Sequence, residues 1–152
     1  MLRRATSKDI PEIQKIINYY ASKGYMLPRS LNELYENTGN FLVEEEEGKV
    51  VACCGLYIVW ENLAEIKSLA VKEEYQHKDL GKKLIKESLV QAKRLIINQV
   101  FALTFIPEYF EKLNFKKIDK GNLPHKIWSD CIKCIHFPNC NETAVVISLE
   151  ET

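Results

Sequence analysis

The most informative stretch of the chain is Ala64-Glu65-Ile66-Lys67-Ser68-Leu69-Ala70-Val71, followed by Gln76-His77-Lys78-Asp79-Leu80-Gly81-Lys82-Lys83-Leu84. It reads as an apolar strand that ends in a basic, glycine-containing turn and opens an amphipathic helix. Such a turn leaves backbone N–H groups without helical partners at the positive end of the helix dipole, a place suited to phosphate or pyrophosphate. The strand carries one carboxylate, Glu65, among apolar neighbours, and burial there would raise its pKa towards the range of a general base. An anion cradle and a candidate base in one strand-turn-helix unit point to a group-transfer enzyme that uses a phosphate-bearing carrier.

Working outward towards the N-terminus, Val50 to Trp60 is a long apolar strand, joined to Leu63–Val71 by a turn at Glu61-Asn62. Phe41-Leu42-Val43 is the strand before it, and Glu44 to Glu47 with Gly48 reads as a solvated hairpin turn. Ser30-Leu31-Asn32-Glu33 is a capping box that opens a short helix ending near Asn37-Thr38-Gly39. Ahead of it, Thr6 and Asp9 cap a helix whose buried face is Ile10, Ile13, Ile16, Ile17 and Tyr20, with Pro11 tolerated in its first turn. Leu2 to Ala5 is a first short strand. Towards the C-terminus, the helix from Gly81 places Leu84, Ile85, Ser88, Leu89, Ala92, Leu95 and Ile96 on one face. Then come a strand at Val100–Thr104, a short helix at Pro107–Leu113, a strand at Phe115–Asp119, a break at Gly121 to Pro124 and a last strand at Ala144–Ser148. This order predicts one α/β domain over residues 1–152 with a mixed, mostly antiparallel central sheet flanked by helices. Trp60 and Trp128 read as packing residues.

Composition narrows the function. The 152 residues, 46% hydrophobic and 28% charged, suit one globular domain with a real core. A formal net charge of zero argues against nucleic-acid binding through broad electrostatics. No apolar run approaches the roughly 20 residues of a membrane span, and the N-terminus lacks the apolar stretch of a signal peptide, so no membrane partner and a cytoplasmic location are expected. Cys53 and Cys54 read as small buried hydrophobes. Cys131, Cys134 and Cys140, with His136 among them and His125 before, lie in the segment 123–142. Their spacing suits metal more than a disulfide in a reducing compartment, but no fourth ligand stands at an established spacing. Structural thiols are the favoured reading and no metal site is assigned.

The stretch from Ala64 to Leu84 resembles the acetyl-CoA-binding core of the GNAT acetyltransferases, whose turn follows the pattern Gln/Arg-x-x-Gly-x-Gly/Ala. Pro107 to Phe115 resembles that family's Phe-Tyr-Glu-Lys-Leu-Gly-Phe helix. The order of elements agrees along almost the whole chain, which implies the GNAT (acyl-CoA N-acyltransferase) fold. Leu27-Pro28-Arg29-Ser30, Val51 to Leu56, Glu65 to Val71, Phe101 to Thr104 and the tail from Leu123 to Glu142 are similar to single-domain amino-acid N-acetyltransferases of the N-acetylglutamate synthase type.

This resemblance implies acetyl-CoA as co-substrate, held by Leu69, Ala70 and Val71 and by the turn residues Gln76, His77, Lys78, Leu80, Gly81 and Lys82. It implies Glu65 as the base that deprotonates the substrate amine, Arg29 as the grip on the substrate carboxylate, and Lys67 as a second carboxylate contact. A guanidinium suits that task because its planar fork matches a carboxylate bidentately. The acceptor would be an amino acid, with L-glutamate and arginine biosynthesis the expected setting, and a homodimer is expected from the family alone. Other GNAT acceptors (glutamine, a polyamine, a protein N-terminus) and a non-catalytic acetyl-CoA-binding module are the rival readings. Four departures from the family pattern stand out. Asp79 and Asn114 stand where glycines are expected. Phe110 stands where many members have a tyrosine acid, and its neighbour Tyr109 leaves the helix about 100° away. Phe105-Ile106 replaces a second arginine that glutamate-using synthases often carry.

Overall fold

Seven strands form one mixed sheet in the order β1-β2-β3-β4-β5-β7-β6. They are β1 (Leu2–Arg4), β2 (Phe41–Glu46), β3 (Lys49–Trp60), β4 (Leu63–Val71), β5 (Gln99–Thr104), β6 (Lys116–Ile118) and β7 (Thr143–Ser148). Among the described residues, the α-helices are α1 (Ile10–Ala21), α2 (Leu31–Glu36), α3 (Leu80–Arg94) and α4 (Pro107–Glu111). β4 and β5 pair in parallel, whereas β1–β2, β2–β3, β5–β7 and β6–β7 are antiparallel. The computed structural model describes residues 1–122 and 142–149. The cysteines, histidines and tryptophan singled out between 123 and 141 lie outside the described residues. Among the described residues, no helix is long and apolar enough to cross a membrane.

The chain divides into two compact units, Met1–Leu56 with Ser68–Ser88, and Tyr57–Lys67 with Leu89–Thr152. In the first, α1 buries Ile10, Ile13, Ile16 and Ile17, the face that the 3.6-residue period predicts. β3 is buried without a break from Val50 to Leu56, as a strand covered on both faces should be. Cys53 and Cys54 are free and buried in that run, and burial pushes both thiols up, the Cys54 thiol to about 12. In the second unit, β5 and β7 bring Phe101 and Ala144 together, with Val59, Leu63, Leu103, Ile118 and Val146 packed around them.

Three expectations need correction. The acidic run is not a solvated turn throughout, because β2 continues to Glu46 and only Glu47 and Gly48, at φ 52° and 77°, make the hairpin turn. The register shifts between Glu44 and Glu45, and Glu44 is left buried against Ala52. Its carboxylate pairs with Lys83 Nζ at 3.0 Å and with the Met1 ammonium. Burial disfavours the Glu44 anion, but these cations more than offset it and hold the carboxyl below its ordinary range. Leu95 and Ile96 do not continue the buried face of α3. The helix stops at Arg94, both residues are exposed, and Ile97 is buried instead. Trp60 is also exposed, because β3 alternates between half-buried and exposed positions beyond Leu56.

Candidate functional site

Within the first unit, the end of β4 and the turn before α3 are built by unusual backbone. Ser68 has φ 58°, a left-handed conformation inside a strand, so the pleat is interrupted ahead of Leu69, Ala70 and Val71. The Ser68 carbonyl accepts from the Cys53 thiol at 3.4 Å, and the Lys72 N–H donates to the Val51 carbonyl at 2.9 Å. Further on, His77 and Asp79 are left-handed, at φ 71° and 59°. Asp79 therefore takes the conformation for which the family uses glycine, and its carbonyl accepts the Lys83 N–H at 3.0 Å as α3 begins. Left-handed residues beside a helix N-terminus turn successive N–H groups into a concave anion nest, so the backbone fits a pyrophosphate.

The side chains of the turn are less available than the sequence suggests. Lys83 is paired with Glu44, and Lys78 Nζ lies 5.0 Å from the Tyr75 ring centroid. Lys82 is exposed in the first turn of α3, as is His77 in the loop before it. Gln76 Nε2 donates to the Tyr20 hydroxyl at 2.8 Å and to the Val71 carbonyl at 3.3 Å. The Tyr20 hydroxyl itself donates to the Val71 carbonyl. Burial raises the Tyr20 pKa, which keeps that donor protonated.

Arg29, also in the first unit, is held at three points. Its N–H donates to Asn18 Oδ1 at 3.1 Å, its carbonyl accepts from Gln14 Nε2 at 3.1 Å, and its Nη1 pairs with Glu33 Oε2 at 2.9 Å. Its side chain is only 9% exposed. Glu33 is placed for this role by the capping box, since its N–H donates to Ser30 Oγ at 3.1 Å. Gln14 and Asn18 were not singled out from the sequence, although their four-residue spacing puts both on one polar face of α1.

The second unit holds Glu65 and Lys67, two residues apart on β4 and so on one face of the strand. Glu65 is buried and lies opposite Phe101 of β5, so it is not an exposed strand carboxylate. Lys67 Nζ lies 4.2 Å from the Tyr57 ring centroid, a cation–π contact that also went unseen in the sequence. Phe110 of α4 is buried edge-on against Phe115, at 5.2 Å and 79°. Its position is thus a packing position in this chain, and Tyr109 beside it is half-buried. Phe105 and Ile106 are exposed, with the Ile106 N–H donating to Thr104 Oγ1 at 2.9 Å.

Comparison with known proteins gives these features a family. Residues 8–115 match the sequence profile of the acetyltransferase (GNAT) family. An uncharacterized N-acetyltransferase of Chlorobaculum tepidum is 36% identical over 148 residues, covering 97% of this chain and 96% of that protein. An amino-acid acetyltransferase of Mycobacterium tuberculosis is 34% identical over 122 residues, covering 78% and 70%. Among solved structures, the N-acetylglutamate synthase of Neisseria gonorrhoeae, complexed with coenzyme A and N-acetyl-glutamate, matches with a TM-score of 0.90 and 27% identity. That match spans 99% of this chain and 35% of the synthase. With the cofactor-type turn before α3 and the seven-stranded mixed sheet in place, the chain belongs to the GNAT family and is an acetyl-CoA-dependent N-acetyltransferase.

Proposed function

We propose that the chain transfers the acetyl group of acetyl-CoA to the α-amino group of an amino acid, L-glutamate first among them, in cytoplasmic arginine biosynthesis. The observation that carries this reading is the 0.90 TM-score match, over 99% of the chain, to a synthase whose structure holds coenzyme A and N-acetyl-glutamate. The amino-acid acetyltransferase of Mycobacterium tuberculosis supports the substrate class.

In this reading, Leu69 to Val71 and the turn from Gln76 to Lys82 hold the cofactor through backbone N–H groups, and Lys82 adds charge. Glu65 takes a proton from the substrate ammonium, directly or through a water. The neutral amine attacks the thioester carbonyl, the C–S bond breaks, and coenzyme A leaves as a thiolate that water protonates. Phe110 cannot supply that proton. Arg29 grips the substrate carboxylate, its guanidinium already oriented by Glu33, and Lys67 gives a second cationic contact.

Thiol release from acetyl-CoA across a panel of free amino acids and simple amines tests the reading. Turnover with glutamate is expected, and Arg29→Ala should raise the amino-acid KM at least tenfold with little change in the acetyl-CoA KM. Equal effects on both constants would remove Arg29 from the carboxylate. A second reading, with a neutral acceptor side chain such as that of glutamine, is favoured by Phe105 and Ile106, where a second arginine is absent. Preference for glutamine over glutamate in the same panel would establish it.

A further inference from the structure

We propose that Tyr20 is a positioning residue for acetyl-CoA: together with Gln76 it fixes the end of β4 to the cofactor turn, so that both present their backbone N–H groups as one prearranged surface. The geometry is a three-way junction within one unit. The Tyr20 hydroxyl, from α1, donates to the Val71 carbonyl at the end of β4 and accepts from Gln76 Nε2, at 2.8 Å, in the turn. The same amide nitrogen lies 3.3 Å from the Val71 carbonyl, on the same side as the hydroxyl, so the two oxygens share its N–H. Only a group that donates and accepts at once can occupy the middle of this junction, and a phenol does both.

The junction changes what Gln76 does. A glutamine amide nitrogen has two donors. In this chain one of them is committed to the Tyr20 hydroxyl and the Val71 carbonyl, so the side chain buttresses the turn. Its remaining polar atom, Oε1, is an acceptor and has nothing to offer an anion. Tyr20 is itself well anchored. Its carbonyl accepts the Tyr25 N–H at 3.1 Å where α1 ends, and its ring stacks edge-on against Tyr19 at 5.1 Å and 76°. At the other end of the same stretch, the Cys53 thiol donates to the Ser68 carbonyl at 3.4 Å. The four residues from Ser68 to Val71 are therefore held at both ends by side-chain donors. Binding to a surface already fixed avoids the ordering cost that a loose segment would incur.

The test is a double-mutant cycle read by calorimetric titration with coenzyme A. That readout rests on the family's use of the cofactor and not on which amine is acetylated, so it stands even if glutamate is the wrong acceptor. Tyr20→Phe keeps the ring and removes the hydroxyl, and Gln76→Ala removes the amide at an exposed position where folding is not at risk. Each should raise the coenzyme A Kd about three- to tenfold, the worth of one hydrogen bond, and the double variant should be no weaker than the weaker single one. With whichever amine turns over, the KM for acetyl-CoA should rise and the KM for the amine should not. Additive losses would show that Gln76 contacts the cofactor independently, and would overturn the proposal. A lower melting temperature with unchanged Kd in Tyr20→Phe would also overturn it, because the hydroxyl would then serve stability alone.

Discussion

Asp79 sits at φ 59°, a backbone state that only glycine reaches without cost and that aspartate reaches better than most residues. The sequence showed a family glycine replaced, and the structure shows that the glycine conformation survives the replacement. Two effects of Asp79→Gly on stability then oppose each other. Relief of left-handed strain favours the variant by about 1 kcal/mol, and the greater freedom of an unfolded glycine costs about 0.5–1 kcal/mol. The net change in stability should be small. Binding is different, because the carboxylate places negative charge at an anion nest whose cationic support is thinner than the sequence implied, with Lys83 committed to Glu44. Asp79→Gly should therefore tighten coenzyme A binding by about 1 kcal/mol, roughly fivefold, in a titration at moderate salt. Weaker binding would reveal a favourable task for the carboxylate. Residue identity made Arg29, Glu65 and the turn legible as candidates. Gln14, Asn18 and Tyr57 were not legible, because a residue that orients another through one contact carries no motif of its own.

Three helices close with the same hydrogen-bond pattern and three different residues at its left-handed position. After α1, Gly24 (φ 82°) donates to Ala21 and Tyr25 donates to Tyr20. After α4, Asn114 (φ 74°) donates to Glu111 and Phe115 donates to Phe110, whose rings also touch. After α3, Ile96 (φ 60°) donates to Lys93 and Ile97 donates to Ala92. Each is a Schellman ending, for which glycine is the usual residue and asparagine the next. Isoleucine is the misfit, since a β-branched side chain at positive φ is an outlier. The pattern also accounts for the misreading of α3. Helical period alone extended its apolar face to Leu95 and Ile96, but the cap reverses the chain there and buries Ile97 in their place. Ile96 is 85% exposed, so removing its side chain forfeits little burial. Ile96→Gly should stabilise the protein by about 0.5–1 kcal/mol, or roughly 1–4 °C in melting temperature, after the entropic cost of glycine. Ile96→Asn should give a smaller gain, and a loss in both variants under urea would show that the apolar side chain has a use at the surface.

At the scale of the molecule, the order of elements was readable from apolar runs throughout the described residues, whereas the place of β7 between β5 and β6 was not. The partners of charged groups were not readable, because they are set by pairings far apart in sequence. The acidic run from Glu44 to Glu47 suggested a solvated turn. Instead Arg3 on β1 binds Asp9 at 2.8 Å ahead of α1 and Glu45 on β2 at 2.7 Å. Asp9 is buried and also accepts the Thr6 N–H at 2.7 Å. The Arg3 hydrogen bonds outweigh the burial of Asp9 and hold its pKa below the ordinary 3.8. A carboxyl whose folded pKa is depressed contributes stability that is fully present above its unfolded value and is lost as pH falls through the folded one. Arg3→Met keeps the apolar stem and removes the charge, leaving Asp9 a buried anion with fewer donors. At pH 7 the variant should be less stable by about 1–3 kcal/mol. Its deficit should be full at pH values well above 3.8 and shrink as pH falls below 3.8 through the depressed pKa of Asp9, so melting curves of the two proteins should converge in acid. A deficit that stays constant across that range would mean that Arg3 stabilises the fold through packing of its stem and not through the Asp9 carboxylate.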